Sequence, residues 1–302
     1  MKQFKVVLCG EKPLAKRCLC HLLSLPHIKV IAACTRRQGD VWWGSQVFRD
    51  ECSKSHIPII KRSQLGDYEY DLLLSVLYPF IIETTHIAQA RKLAVNLHEA
   101  PLPRWRGCNG YSHAILARDL MYGTTLHELA TELDQGRVIA SCHFALDPHL
   151  TAKELYDRTT EKSYKLFTSS ISSIINDDLS YAECLDENKS FLNARQSLEP
   201  LKKLDRELDP LEFYNRVRAF DFVPWEPAFW VHNGHKTYAF VDGSTERKPL
   251  AVPSSLRSEF RKVMSAGVSN ELTIITDFIR PIAVCSSEFY RKHFPIFQRP
   301  TD

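Results

Sequence analysis

The sequence lacks any run of 18 or more apolar residues, so no segment is expected to cross a membrane. Its first residues, MKQFKVVLCGEK, lead straight into a strand-like stretch without the long apolar core of a secretory signal. Paired CxxC elements are missing too. The nine cysteines are scattered and odd in number, and Cys18 and Cys20 stand too close together for a zinc knuckle. All nine are expected as reduced thiols, which suits a cytoplasmic protein. There is also no excess of one charge: 39 basic residues against 36 acidic ones leave a net +3, too little to point to nucleic acid.

Other absences remove whole classes of chemistry. The turn after the first strand, Gly10-Glu11-Lys12-Pro13, has neither the repeated glycines of a dinucleotide site nor the Gly-Lys-Ser/Thr of a phosphate loop. No G-x-S-x-G elbow is present for a serine hydrolase. No His/Asp cluster has the form of a zinc site, so no metal is expected.

What is present reads as strands alternating with helices. Phe4 to Cys9 is a short apolar run, followed by helical spacing of Leu14, Cys18 and Leu22. Val30 to Cys34, Ile57 to Ile60 and Asp71 to Leu77 read as further strands, the last continuously apolar as a strand covered on both faces should be. The pattern predicts an α/β, Rossmann-like, mostly parallel sheet with helices on both faces, and such sheets collect ligands beyond the carboxyl ends of their strands. Val138 to Leu146 is another strand. Thr151-Ala152-Lys153-Glu154 has the form of a capping box opening a long amphipathic helix that ends at Asn176.

Residues 186–209 are polar and charged, which suits a connector. The chain is therefore expected to divide into a catalytic domain, 1–195, and a smaller β-rich domain, 205–302. The latter should hold a helix over Leu211 to Ala219 and a hairpin turning at Asn233-Gly234. Of the stretch after Pro249, only Leu272 to Ile275 reads as a strand.

The informative segment is VNLHEAPLPRWRGCNGYSHAIL, residues 95–116, followed by GTTLHELATELDQGRVI, residues 123–139. A strand over Leu93 to Leu97 delivers Asn96 and His98 to the same side, because strand side chains alternate with period two. Pro101 and Pro103 stiffen the loop beyond. Asn109 is placed to cap a helix running to Arg118, and Asp134 sits in a loop where Gly136 allows a sharp turn. An imidazole that titrates near neutrality suits proton transfer, a neutral amide suits a developing oxyanion, and a carboxylate can orient or charge-stabilise the imidazole. His127 either supports the end of the sheet or takes part in the site. Arg106 either clamps backbone carbonyls or meets an anionic ligand. Glu99 either alters access to the site or pairs with Arg104.

Asn-x-His, Pro-Leu-Pro-x-x-Arg-Gly, Thr-Leu-His and Asp-x-Gly-x-Ile together resemble the 10-formyltetrahydrofolate-dependent formyltransferases over roughly residues 1–190. The resemblance implies Asn96, His98 and Asp134 as the catalytic set. It implies 10-formyltetrahydrofolate as formyl donor, held by Ser75, Leu77, Tyr78 and Asp134. Residues 106–115 and the run Arg218 to Phe229 are similar to the branch that formylates nucleotide-linked amino sugars. This makes Arg106, Asn109 and Tyr111 the expected substrate contacts and a dTDP-linked deoxyamino sugar the expected acceptor. The same resemblance implies a cytoplasmic homodimer serving surface-polysaccharide (lipopolysaccharide O-antigen) synthesis, without a nucleic-acid or membrane partner. Methionyl-tRNA formylation is the alternative. It is disfavoured because residues 200–302 carry 15 basic and 13 acidic side chains, and because the loop from Arg36 to Asp50 is short and tryptophan-bearing rather than long and basic.

Overall fold

The computed structural model describes residues 3–36, 46–181, 191–194, 198–205, 207–241, 273–275, 280 and 282–293. Cys184, the tryptophans 42 and 43, and much of the connector and of the stretch beyond residue 241 lie outside the described residues. The chain forms two compact units: 1–107 with 122–144 and 158–192, and 108–121 with 145–157 and 193–302.

The first unit is built on a seven-stranded sheet. Its strands are β1 (Phe4–Gly10), β2 (Ile28–Cys34), β3 (Ile59–Ile60), β4 (Leu72–Val76), β5 (Leu93–His98), β7 (Met121–Glu128) and β8 (Val138–Ala145), in the order β3-β2-β1-β4-β5-β7-β8. The pairings β2/β3, β1/β2, β1/β4 and β4/β5 are parallel, and β5/β7 is antiparallel. Helices α1 (Pro13–Leu23), α2 (Val47–Lys54), α3 (Thr84–Gln89) and α5 (Ala152–Asn176) accompany it. This is the α/β, mostly parallel architecture expected from the sequence.

Alternation divides the core in two. Val6, Leu8, Leu72, Leu74, Val95 and Leu97 face one side, against Leu14 and Leu19 of α1 and Phe167 and Ile171 of α5. Val7, Cys9, Ala32, Cys34, Leu73 and Ala94 face the other, with Tyr70 and Ile82. All five residues of β4 are buried, the signature of a strand covered on both faces. The capping box at the start of α5 is formed: the Thr151 amide donates to Glu154 at 2.8 Å, and the Glu154 amide donates back to Thr151 Oγ1 at 3.2 Å.

Chain order reverses beside β1, since β2 and β3 lie to one side and β4 and β5 to the other. Carboxyl ends of strands at such a reversal leave a crevice for ligands. The ends of β4 and β5 stand next to it in matched register, Ser75 beside Asn96 and Val76 beside Leu97.

The second unit holds α4 (Gly110–Leu116), which packs against α6 (Pro210–Phe220). It also holds an antiparallel sheet, β10-β11-β13-β12, made of Ala228–His232, His235–Val241, Ile282–Ser286 and Thr273–Ile275. The β10–β11 turn is the expected one, with Asn233 and Gly234 both at positive φ (49° and 80°). Among the elements not foreseen are β13 and the helix α7 (Ser287–His293) that follows it directly. A four-residue apolar run, Ile282 to Cys285, carries no periodicity that separates strand from helix. Its strand character comes from β11 and β12 on either side.

Candidate active site

The geometry begins with alternation at the end of β5. Val95, Leu97 and Glu99 are buried, while Asn96 and His98 are part-exposed on the same side. Glu99 alternates away from Asn96 and His98. It points to the other face, 5% exposed, and accepts a hydrogen bond from Thr160 at 2.8 Å. Behind it, Thr124 donates to the His98 carbonyl and Ser163 donates to Thr124, tying the strand end to α5.

The loop after β5 returns as β6 (Trp105–Gly107), and its backbone meets two of the three expected catalytic side chains. His98 Nε2 lies 2.8 Å from the Trp105 carbonyl. A carbonyl only accepts, so Nε2 carries the proton, and in the neutral ring Nδ1 is left as the basic nitrogen. Asp134 Oδ2 accepts the Gly107 amide at 2.8 Å and stands 3.8 Å from His98 Nδ1. An imidazolium at His98 thus faces a carboxylate, whereas the neutral ring presents a lone pair to it.

His127 completes the cluster. It is 1% exposed, its Nδ1 donates to the Glu128 carbonyl at 2.7 Å, and its Nε2 receives the Asn96 amide at 3.1 Å. Burial pushes its pKa down to about 4, aided by the neighbouring His98 and opposed by Asp134. It is therefore neutral near pH 7, with Nε2 as acceptor. That fixes the Asn96 carboxamide with its nitrogen toward His127 and leaves the second N–H of the amide for another partner. His127 Nε2 is also 3.6 Å from Asp134 Oδ1. The sequence left the role of this histidine open because the motif shows its spacing and not its partner.

Asp134 is held by local backbone as well. Its φ is 54°, in the left-handed region, and Gly136 packs so tightly on β7 that a Cβ there would stand 1.8 Å from the Glu128 carbonyl oxygen. Leu77, just past β4, is also left-handed at φ 51°, a conformation costly for a bulky side chain. Ser75 is buried within β4, 6% exposed. Tyr78 accompanies Phe80 edge-to-face at 5.5 Å, while Phe80 and Ile81 are 42% and 72% exposed. Arg62 braces this wall, its guanidinium 5.9 Å from the Phe80 ring and donating to the Ile81 carbonyl. Exposed aromatic and aliphatic surface just beyond the end of β4 suits a flat heteroaromatic ligand.

The remaining expected residues are placed as follows. Arg106 lies on β6 between Trp105 and Gly107. Asn109 and Tyr111 belong to the second unit, where Tyr111 packs edge-to-face on Tyr156 at 5.7 Å. Asn109 occupies the capping position of α4, but at φ 60° and without a side-chain capping bond, and the helix stops at Leu116, short of Arg118. The expected cap is corrected to a left-handed junction, a conformation asparagine tolerates better than other side chains. Among the described residues no group of three or more His, Cys, Asp and Glu side chains could hold a metal ion.

Residues 54–171 match the formyl transferase family model. That span contains every group of the cluster from Ser75 to Asp134. The fold is shared with solved sugar N-formyltransferases. An N-formyltransferase from Helicobacter canadensis, crystallised with folinic acid and dTDP-3-aminofucose, has a TM-score of 0.70 at 19% identity, over 94% of this chain and 100% of that one. A 4-N formyltransferase from Francisella tularensis has a TM-score of 0.67 at 18% identity, over 77% and 95%. HypX from Aquifex aeolicus in complex with tetrahydrofolic acid has a TM-score of 0.60 at 16% identity, over 94% of this chain and 44% of that one.

Proposed function

We propose that the chain transfers the formyl group of 10-formyltetrahydrofolate to the amine of a nucleotide-linked deoxyamino sugar, with dTDP as the carrier. The observation that carries this reading is the anchoring of His98. Its Nε2–H is committed to the Trp105 carbonyl, so Nδ1, 3.8 Å from Asp134, is the nitrogen left for chemistry.

The donor supplies an activated one-carbon unit on a good nitrogen leaving group. The amine nitrogen bonds to the formyl carbon, the donor's carbon–nitrogen bond breaks, and one proton passes from amine to leaving nitrogen. His98 Nδ1 accepts that proton, and Asp134 stabilises the resulting imidazolium, which can then release it to the leaving nitrogen. Asn96 offers its free N–H to the formyl oxygen as negative charge collects there, a contact worth about 3 kcal/mol where such donors have been removed. Tyr78, Phe80 and Ile81 fit the flat face of the donor beyond β4. Arg106, Asn109 and Tyr111 are assigned to the nucleotide sugar. The formyl transferase match and the fold shared with sugar N-formyltransferases support this reading. With it go a cytoplasmic homodimer and a role in surface-polysaccharide synthesis. No helix among the described residues is long and apolar enough to cross a membrane.

The direct test is incubation of the full chain with 10-formyltetrahydrofolate and a panel of dTDP-, UDP- and GDP-linked amino sugars, with detection of the formamide by mass. Turnover of charged initiator tRNA with no sugar turned over would overthrow the acceptor assignment. In the active assay, Asp134→Asn keeps an acceptor for the Gly107 amide but removes the charge. It is expected to lower kcat by about 10²- to 10⁴-fold, as is His98→Ala. Near-normal rates in either variant would refute these roles.

A further inference from the structure

The two groups proposed to move the proton are held by the backbone of a strand only three residues long, Trp105–Gly107. The Trp105 carbonyl takes His98, and the Gly107 amide takes Asp134. A strand this short, following a loop with two prolines, cannot hold its own register, so the neighbour that closes it matters. That neighbour is β9 (Phe191–Asn193), which pairs with it in a two-stranded sheet. The Phe191 amide donates to the Arg104 carbonyl at 2.9 Å, and its ring stacks on Trp105 at 5.5 Å and 28°. The Arg104 guanidinium lies 4.8 Å from the Trp105 ring and 5.6 Å from the Phe191 ring.

The layers differ in exposure. Trp105 is 6% exposed, while Phe191 and Leu192 are 49% and 60% exposed. A half-exposed phenylalanine adds little to the core, and its ring and amide meet Arg104 and Trp105, at the head of the strand whose backbone holds the proton-transfer pair.

We propose that Phe191 is a positioning residue. Its ring and amide clamp β6, and through the Trp105 carbonyl and Gly107 amide they set the tautomer of His98 and the placement of Asp134 beside it. This rests on the proposed formyl transfer for its rate consequence but not for its structural one. Without the clamp the Trp105 carbonyl moves away from Nε2, the ring samples both neutral tautomers, and Nδ1 is no longer reserved for the substrate. A misplacement of about 1 Å in such a constellation costs up to about 10²-fold in rate.

The test uses the full chain with ¹⁵N-labelled histidine. In the wild type, the neutral ring of His98 should show a protonated Nε2 and an unprotonated Nδ1. Phe191→Ala should give a mixed tautomer signal, with the melting temperature nearly unchanged, and Phe191→Tyr should restore the wild-type signal. In the formyl-transfer assay, Phe191→Ala should lower kcat by roughly 10-fold or more with KM for the donor little changed and the pH profile of kcat displaced. The proposal is overturned if Phe191→Ala leaves the His98 tautomer as in the wild type, or if kcat stays within about twofold while the tautomer changes. The tautomer measurement needs no substrate. A chain that transfers no formyl group would defeat the functional reading, and the nuclear resonance result would then decide the clamp alone.

Discussion

His127 shows how a single buried side chain couples protonation to both stability and catalysis. Its neutral form is the one that accepts the Asn96 amide, and burial holds its pKa near 4 against an ordinary value of 6.5. Between those values the unfolded chain binds a proton that the folded chain does not, so stability is intact above about pH 6.5 and declines as pH falls toward 4. The slope from this one group is at most about 1.4 kcal/mol per pH unit. Urea denaturation between pH 7 and 4.5 should show it, and His127→Gln, which has no proton to gain, should flatten it. His127→Leu removes the acceptor for Asn96 and frees the carboxamide to rotate. A kcat loss of about 10-fold is expected, smaller than the 10²- to 10³-fold seen when an oxyanion donor is itself removed. Unchanged kcat in His127→Leu would show that Asn96 needs no such anchor.

At the level of elements, the turn between β7 and β8 decides where the carboxylate goes. Gly136 allows the returning chain to lie against the Glu128 carbonyl, and the neighbouring left-handed Asp134 then reaches the Gly107 amide. Gly136→Ala would force the turn off β7 and carry Asp134 with it. We expect kcat to fall by roughly 10²-fold, whereas Gln135→Ala, at an exposed position of the same turn, should be silent. Equal activity in the two variants would mean that the turn tolerates displacement without loss of the pair.

The same turn shows what could be read in advance and what could not. Asp-x-Gly was visible as a motif, and β1, β4, the α5 capping box and the Asn233-Gly234 hairpin were legible because each is written in residues next to one another. Asn96 and His98 sharing a side followed from period two alone. Partners distant along the chain were not legible. Phe191 stacking on Trp105, Asn96 meeting His127 and β13 entering between β11 and β12 depend on chain segments that no local pattern connects. Asn109 failed for a related reason, since a capping residue and a left-handed junction favour the same amino acid.

Across the whole molecule, the two units carry buried groups whose pH dependence has opposite sign. His127, with its lowered pKa, makes the first unit lose stability toward acid. In the second unit, Asp221 is part-buried, its Oδ2 accepts the Val241 amide at 2.8 Å, and burial raises its pKa from 3.8 to about 7. The Val241 bond and Arg280 work against that rise, and Glu154 adds to it. Here the folded chain holds a proton that the unfolded chain releases, so this contribution is complete below about pH 3.8 and is lost as pH rises through 7. Hydrogen exchange resolved to single amides can separate the two. Between pH 5 and 8, the opening free energy of β11 and β13 amides should fall relative to that of β1 and β4 amides, at up to about 1.4 kcal/mol per pH unit. Asp221→Asn keeps an oxygen for the Val241 amide and removes the titration, so it should abolish the fall in β11 and β13 while leaving β1 and β4 as they were. If all four strands shift together in both proteins, the units unfold as one body and the opposed contributions cancel within it.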